Sequence, residues 1–320
     1  VLALIALAAG LLFYHVHAPL GQAGLPLEFS VEPGHSLRQT AAGLKQAGVL
    51  GDDWGFVQLA RLMGQDKKIK YGTYRLEKSA SMLEVLELIT SGRFAQSQIT
   101  LVEGITFREV RKALDAHPKL RHDSSALSEQ EILQRLGVTE SAAEGLFFPD
   151  TYTFAIGSSD LAVLQRAHAA MRKHLETEWA QRDPDLPFAT PYQALTLASV
   201  VEKETGKGAD RPMIAAVFIN RLRRGMRLQT DPTVIYGLGE AFDGNLRKRD
   251  LLADTPYNTY TRGGLPPTPI SMPGLDAIRA VLHPPSSNAL YFVAKGDGSS
   301  QFSSNLKDHN QAVRQYQLKK

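Results

Sequence analysis

A chain of 320 residues, 43 % hydrophobic and 22 % charged, is neither disordered nor of low complexity and holds material for two domains, or one domain with a satellite. Its formal charge of +3, from 36 Lys+Arg against 33 Asp+Glu, is too small to imply nucleic-acid binding. The absence of cysteine excludes disulfides, thiolate catalysis, iron–sulfur clusters and cysteine-based zinc sites.

Residues 1–14, VLALIALAAGLLFY, carry no charge and are apolar all round rather than along one stripe, the pattern of a lipid-facing helix or a signal-peptide core. As a helix they reach roughly 21 Å, short of the ~30 Å hydrocarbon layer. Val16-His17-Ala18 resembles a cleavage site, but Pro19 after it disfavours cutting. The expectation is an uncleaved, N-terminally trimmed transmembrane anchor over 1–18. A Gly/Pro/Ala linker over 19–26 follows, with the remainder on the outer side.

Two segments seventy residues apart look alike: Leu27–Leu44, LEFSVEPGHSLRQTAAGL, and Ser97–Leu114, SQITLVEGITFREVRKAL. Each reads as a short strand, a turn at Gly34 or Gly104, an N-cap at Ser36 or Thr106, and an amphipathic helix. The first continues through a helix near Asp52–Met63, a strand over Lys70–Leu76 and a helix over Ser81–Ser91. Strand, helix, helix, strand resembles a LysM-type module, which binds N-acetylated glycan, or else a spacer of that topology; the subdomain is expected over 27–95.

From Asp115 to Ala143 the chain reads polar and helical without evident chemistry. Gly145–Phe154, GLFFPDTYTF, is a strand-like aromatic stretch suited to packing or to a substrate platform. Leu161–Gln181 reads as an amphipathic helix, ended by Pro184 and Pro187.

The segment Thr190–Gly206, TPYQALTLASVVEKETG, opens with Thr190 as N-cap and Pro191 at N1 and stops at Gly206. On a helical wheel Ala194, Ala198, Val201 and Thr205 form one stripe, with Leu197 beside it. Glu202 and Glu204 fall about 80° to either side. Burial at the negative end of the helix dipole raises a carboxyl pKa, and a carboxylic acid held protonated near neutrality is what general-acid cleavage of a glycosidic bond requires. The plain alternative is one salt-bridged and one solvated glutamate. Periodicity does not say which of the two is the acid.

A further helix is expected over Asp210–Leu222, followed by non-helical stretches at 226–237, 257–260 and 263–270. Their amides, hydroxyls and tyrosines suit sugar recognition, and Pro266, Pro267 and Pro269 would stiffen a groove wall. There is no HExxH pattern or paired-His spacing, with His283 and His309 far apart, and no P-loop or complete dinucleotide fingerprint. Metal and cofactor are therefore expected to be none.

The runs ASVVEKET, VFINRLRRGMRLQTDPTVIYG, YNTYTRGGLPP and HPPSSNALYFVAKGDGSSQFSSNLKDHN resemble the YceG-like family of endolytic murein transglycosylases over nearly the whole chain after residue 26. The resemblance implies an α+β protein with a single transmembrane helix, a LysM-like subdomain and a mixed α+β catalytic domain over 96–320. It further implies a bacterial inner-membrane enzyme with its catalytic domain in the periplasm. Such an enzyme cuts nascent peptidoglycan glycan strands internally, leaves 1,6-anhydro ends and meets peptidoglycan synthases. In that family the second glutamate of the E-K-E run is catalytic, here Glu204. Gln229, Asp231, Asn258 and Tyr260 are then candidates for holding sugar or orienting Glu204, and Glu202 for support. A hydrolytic muramidase and a non-catalytic glycan-binding scaffold are the alternatives.

Overall fold

The computed structural model describes residues 2–318. The chain falls into two compact units. The first comprises Val1–Gln98, Pro118–Arg121 and Thr153–Ser159; the second comprises Ile99–His117, His122–Tyr152 and Asp160–Lys320.

The first unit begins with α1 (Leu2–His17), 16 residues long and therefore roughly 24 Å. Leu2, Leu4, Leu7, Leu11, Phe13 and Tyr14 are exposed along it. Among the described residues no helix is long and apolar enough to cross a membrane. Strand β1 (Leu27–Val31), helices α2 (Leu37–Gln46) and α3 (Asp53–Leu62) and strand β2 (Gly72–Leu76) follow, with β1 antiparallel to β2 and Phe29 opposite Tyr74. Helix α4 (Met82–Ser91) comes next. Alternation along the strands turns Phe29, Val31, Tyr74 and Leu76 inward, onto a core with Leu44, Phe56, Val85 and Ile89. Tyr74 is fully buried, and its hydroxyl donates to the carbonyls of Lys70 (2.6 Å) and Ile89 (3.1 Å), so the polar tip is not stranded.

Strand β3 (Gln96–Thr100) leads to α5 (Phe107–Asp115) and α6 (Glu129–Leu136), and β3 pairs with β4 (Thr151–Ala155). The likeness between 27–44 and 97–114 is present in the backbone. Gly34 and Gly104 turn the chain at φ 79° and 77°, values that only glycine adopts freely. Ser36 and Thr106 then cap α2 and α5 with reciprocal capping boxes, closed by Gln39 and Glu109. The strand in Gly145–Phe154 begins only at Thr151. Leu146, Phe147 and Phe148 are buried, and Phe147 stacks on Phe107 at 5.2 Å, so these aromatics are packing rather than a platform.

The rest of the second unit is helical: α7 (Asp160–Ala180), α8 (Pro191–Glu204), α9 (Arg211–Arg223), α10 (Asp231–Leu238), α11 (Lys248–Leu252) and α12 (Leu275–Leu282). It ends in a two-stranded antiparallel sheet, β5 (Tyr291–Ala294) and β6 (Ser300–Ser303), and helix α13 (Leu306–Tyr316). Helix α8 is central and packs against α7, α9, α10 and α12. The expected apolar stripe is wider than a stripe, because every residue from Ala194 to Val201 is buried. Thr196 and Ser199 fit inside because their hydroxyls donate to carbonyls of their own helix, those of Tyr192 and Thr196, at 2.8 and 2.7 Å.

One expectation is corrected: 226–237 is not wholly irregular, since Asp231–Leu238 forms α10. Thr230 supplies the extended N-cap position and Pro232 sits in the first turn, where a missing N–H costs nothing. Packing against α8 then outweighs the weak helix propensity of Thr233, Val234 and Ile235.

Candidate active site

Helix α8 starts where Thr190 Oγ1 accepts from the Gln193 amide at 3.3 Å. It ends at Glu204, because Thr205 swings to extended backbone (φ −144°, ψ 134°). Glu204 thus occupies the last helical position, facing a cavity of about 590 Å³ in the second unit. Thr230, Asp231, Gln229, Tyr260, Arg221, Tyr291 and His309 also line it.

The Thr230 hydroxyl donates to Glu204 Oε2 in a short hydrogen bond. Thr230 is buried and held from three sides. Its amide donates to Thr259 Oγ1 (3.1 Å), its carbonyl accepts from Thr233 Oγ1 (2.8 Å), and the two threonine hydroxyls meet at 2.8 Å. Burial pushes the Glu204 carboxyl above its ordinary range, and the neighbouring charge of Asp231 adds to this. The Thr230 bond and the Arg221 cation pull the other way without cancelling it.

Glu202 leaves the helix on the other flank. Its Oε1 accepts from Arg211 at 3.0 Å and its Oε2 from the Gly274 amide at 2.9 Å. Both partners of this ion pair are buried, with side-chain exposures of 10 % for Arg211 and 6 % for Glu202. Burial still raises the Glu202 pKa, against the Gly274 amide and Arg211. The two glutamates therefore differ in kind: Glu202 is locked between a cation and an amide, whereas Glu204 sits in an open cavity on one hydroxyl.

The remaining predicted residues separate as clearly. Asp231 accepts from the Tyr260 hydroxyl at 2.6 Å, and both line the cavity. Burial, then this bond, raise the Tyr260 pKa, so its hydroxyl stays a donor. Gln229 is exposed at the cavity on a left-handed backbone (φ 51°), its amide donating to the Thr259 carbonyl at 3.1 Å. Asn258 is fully buried. Its amide donates to the carbonyls of Asp250, Leu251 and Ala253, and its oxygen accepts from the Tyr260 amide at 2.8 Å. Asn258 therefore shapes the loop that carries Tyr260 and has no free group to offer a sugar.

Sequence reasoning gave no place at this site to Thr230, Arg221, Tyr291 and His309. Thr230 was findable, since Thr-Asp-Pro is a helix-start signal. Arg221 was concealed in the basic run NRLRR. It is buried, donates to the carbonyls of Leu290 (2.7 Å) and Leu228 (2.6 Å), and lies 5.3 Å from the Tyr291 ring centroid. Among the described residues, Asp115, His122 and Asp160 have the spacing of metal ligands but do not line this cavity. The Asp160 oxygens there are already taken by the Ser124 amide and hydroxyl and the Leu161 amide.

The model of the YceG-like family matches residues 29–315. An endolytic murein transglycosylase of Bacillus subtilis is 32 % identical over 308 residues, covering 91 % of this chain and 84 % of that protein. One from Streptococcus pneumoniae is 29 % identical over 320 residues, covering 89 % of this chain and 57 % of that protein. A crystal structure of a YceG-like protein from Listeria monocytogenes superposes with a TM-score of 0.57 at 28 % identity, covering 89 % of this chain and 98 % of the other. With its family match running from the β1 strand to α13, the chain belongs to the YceG-like family.

Proposed function

We propose that this chain is an endolytic murein transglycosylase that cuts the MurNAc–GlcNAc β-1,4 bond inside peptidoglycan strands, with Glu204 as general acid and then base. The observation that carries this reading is the setting of Glu204. It is a carboxyl at a helix C-terminus, raised in pKa by burial and held by one hydroxyl in a cavity of about 590 Å³. The names borne by the relatives agree with it.

Protonated Glu204 donates to the bridging oxygen, the C1–O4 bond breaks, and positive charge develops at MurNAc C1. The MurNAc C6 hydroxyl then bonds to C1 and returns its proton to Glu204. One C–O bond is lost and one is made, no water is consumed, and the product carries a 1,6-anhydro ring. In this scheme Asp231, exposed at the cavity and fixed by Tyr260, supplies negative charge beside the developing cation. Glu202 fixes the end of α8 through Arg211 and Gly274.

The strand–helix–helix–strand order of the first unit supports a glycan-holding, LysM-like role for it. The apolar, exposed α1 supports attachment to the inner membrane with the remainder in the periplasm, near the peptidoglycan synthases.

Digestion of uncrosslinked glycan by the wild type and by Glu204→Gln, with chain ends read by mass, tests the chemistry. Anhydro ends from the wild type alone are expected. Ends heavier by one water would replace the reading with hydrolysis, Asp231 serving a water, and uncut glycan would leave a binding scaffold.

A further inference from the structure

His309, on α13, lines the same cavity as Glu204 and has no role in the scheme above. Its ring stacks on Tyr291 of β5, with centroids 5.1 Å apart and planes 23° from parallel. Tyr291 in turn lies under the Arg221 guanidinium, 5.3 Å from the ring centroid, a second contact that holds the platform. Nδ1 of His309 is buried and has no hydrogen-bond partner among the described residues.

A buried N–H without an acceptor is rarer in proteins than an unsatisfied lone pair. This assigns the proton to Nε2 and leaves Nδ1 as the bare nitrogen. An imidazolium would put an N–H at the buried position and a second cation beside Arg221. Burial, and then Arg221, accordingly hold the His309 pKa below its usual value. The ring is a neutral donor in a fixed orientation.

Neutrality has a chemical use at this place. A cation here would oppose the positive charge that develops at C1, whereas a neutral N–H binds oxygen without that penalty. We propose that His309 contacts the glycan directly, donating Nε2–H to a neutral sugar oxygen, a hydroxyl or an acetamido carbonyl, while its Tyr291 stack holds the ring in register. This rests on the reading of the cavity as a glycan site.

The test uses the full chain carrying Glu204→Gln, so that glycan is bound without being cut, and adds His309→Phe or His309→Gln. Phenylalanine keeps the stack and removes the donor; glutamine keeps an N–H at the ε position. The probe is uncrosslinked peptidoglycan glycan of defined length, and thermal midpoints are read alongside.

One neutral hydrogen bond corresponds to a roughly 2- to 12-fold loss of affinity for His309→Phe. His309→Gln is expected to restore most of it, at an unchanged midpoint. Equal affinity in His309→Phe, or a His309→Gln as weak as His309→Phe, overturns the proposal, as does a Glu204→Gln parent that binds no glycan. A wild type that never cuts, while binding still depends on His309, removes the transglycosylase reading and leaves the His309 contact standing.

Discussion

Replacing Glu202 by alanine is expected to damage stability far more than chemistry, the reverse of what Glu204→Gln does. In the folded chain the Arg211 side chain is 10 % exposed and its close carboxylate partner is Glu202 at 3.0 Å; Asp276 is 3.8 Å away with its side chain 76 % exposed. Removing Glu202 strands a buried cation and also deprives the Gly274 amide of its acceptor. Breaking a buried pair from one side costs about 3–5 kcal/mol. For a domain the size of the second unit each kcal/mol is worth roughly 2–4 °C, so the thermal midpoint should fall by roughly 6–20 °C. Adding Arg211→Met removes the stranded charge and should recover a large part of that loss. Circular dichroism melts give the stability. Glycan cutting at a temperature where Glu202→Ala is folded gives the chemistry, which should change less than the ~10²–10⁴-fold loss expected when a general acid is removed in Glu204→Gln. A Glu202→Ala protein that melts like the wild type yet cuts no glycan would refute this division of labour between the two carboxyls.

Glu204→Gln should be more stable than the wild type, increasingly so as pH rises. The folded state holds the Glu204 proton more tightly than the unfolded chain, so ionisation penalises folding only above the unfolded pKa, and urea melts across pH read the effect. Thr230→Val removes the hydrogen bond that favours ionised Glu204, so the alkaline limb of the pH–activity profile should move upward; a downward move would count against Glu204 acting as an acid. Glu144 is 5 % exposed, bonded by the Phe107 amide (2.9 Å) and the Tyr236 hydroxyl (3.1 Å), and raised by burial from 4.5 to about 7. Stability should therefore decline from below pH 5 to above pH 7 by on the order of 3 kcal/mol, and Glu144→Gln should flatten that decline in urea titrations at pH 5 and pH 8.

What could be read from the chain depended on the range of the interaction. The start of α8 was legible because Thr190 and Pro191 are neighbours whose capping is local. The divergence of Glu202 and Glu204 was legible because two residues turn a helix by about 200°. Which carboxyl stays free was not legible, since the answer lies in Arg211 on the following helix and Gly274 on a distant loop. Asn258 looked like a sugar ligand by composition, but its amide is spent on the turn around it. α10 was masked by β-branched residues whose local preference yields to packing. His309 and Tyr291 become a pair only when α13 folds against β5.

The unbroken burial from Ala194 to Val201 bears on how this protein can change over time. A helix with a solvent face can accept substitutions there one at a time. Helix α8 has no such face through its middle two turns, so a change of volume at Leu197 or Val201 must be answered in α7, α9, α10 or α12. Positions lining the cavity can drift toward new glycans, while the mount beneath Glu204 can alter only through paired changes. Any lineage that reshapes this site should record it as correlated exchanges between helices, and not as single replacements along α8.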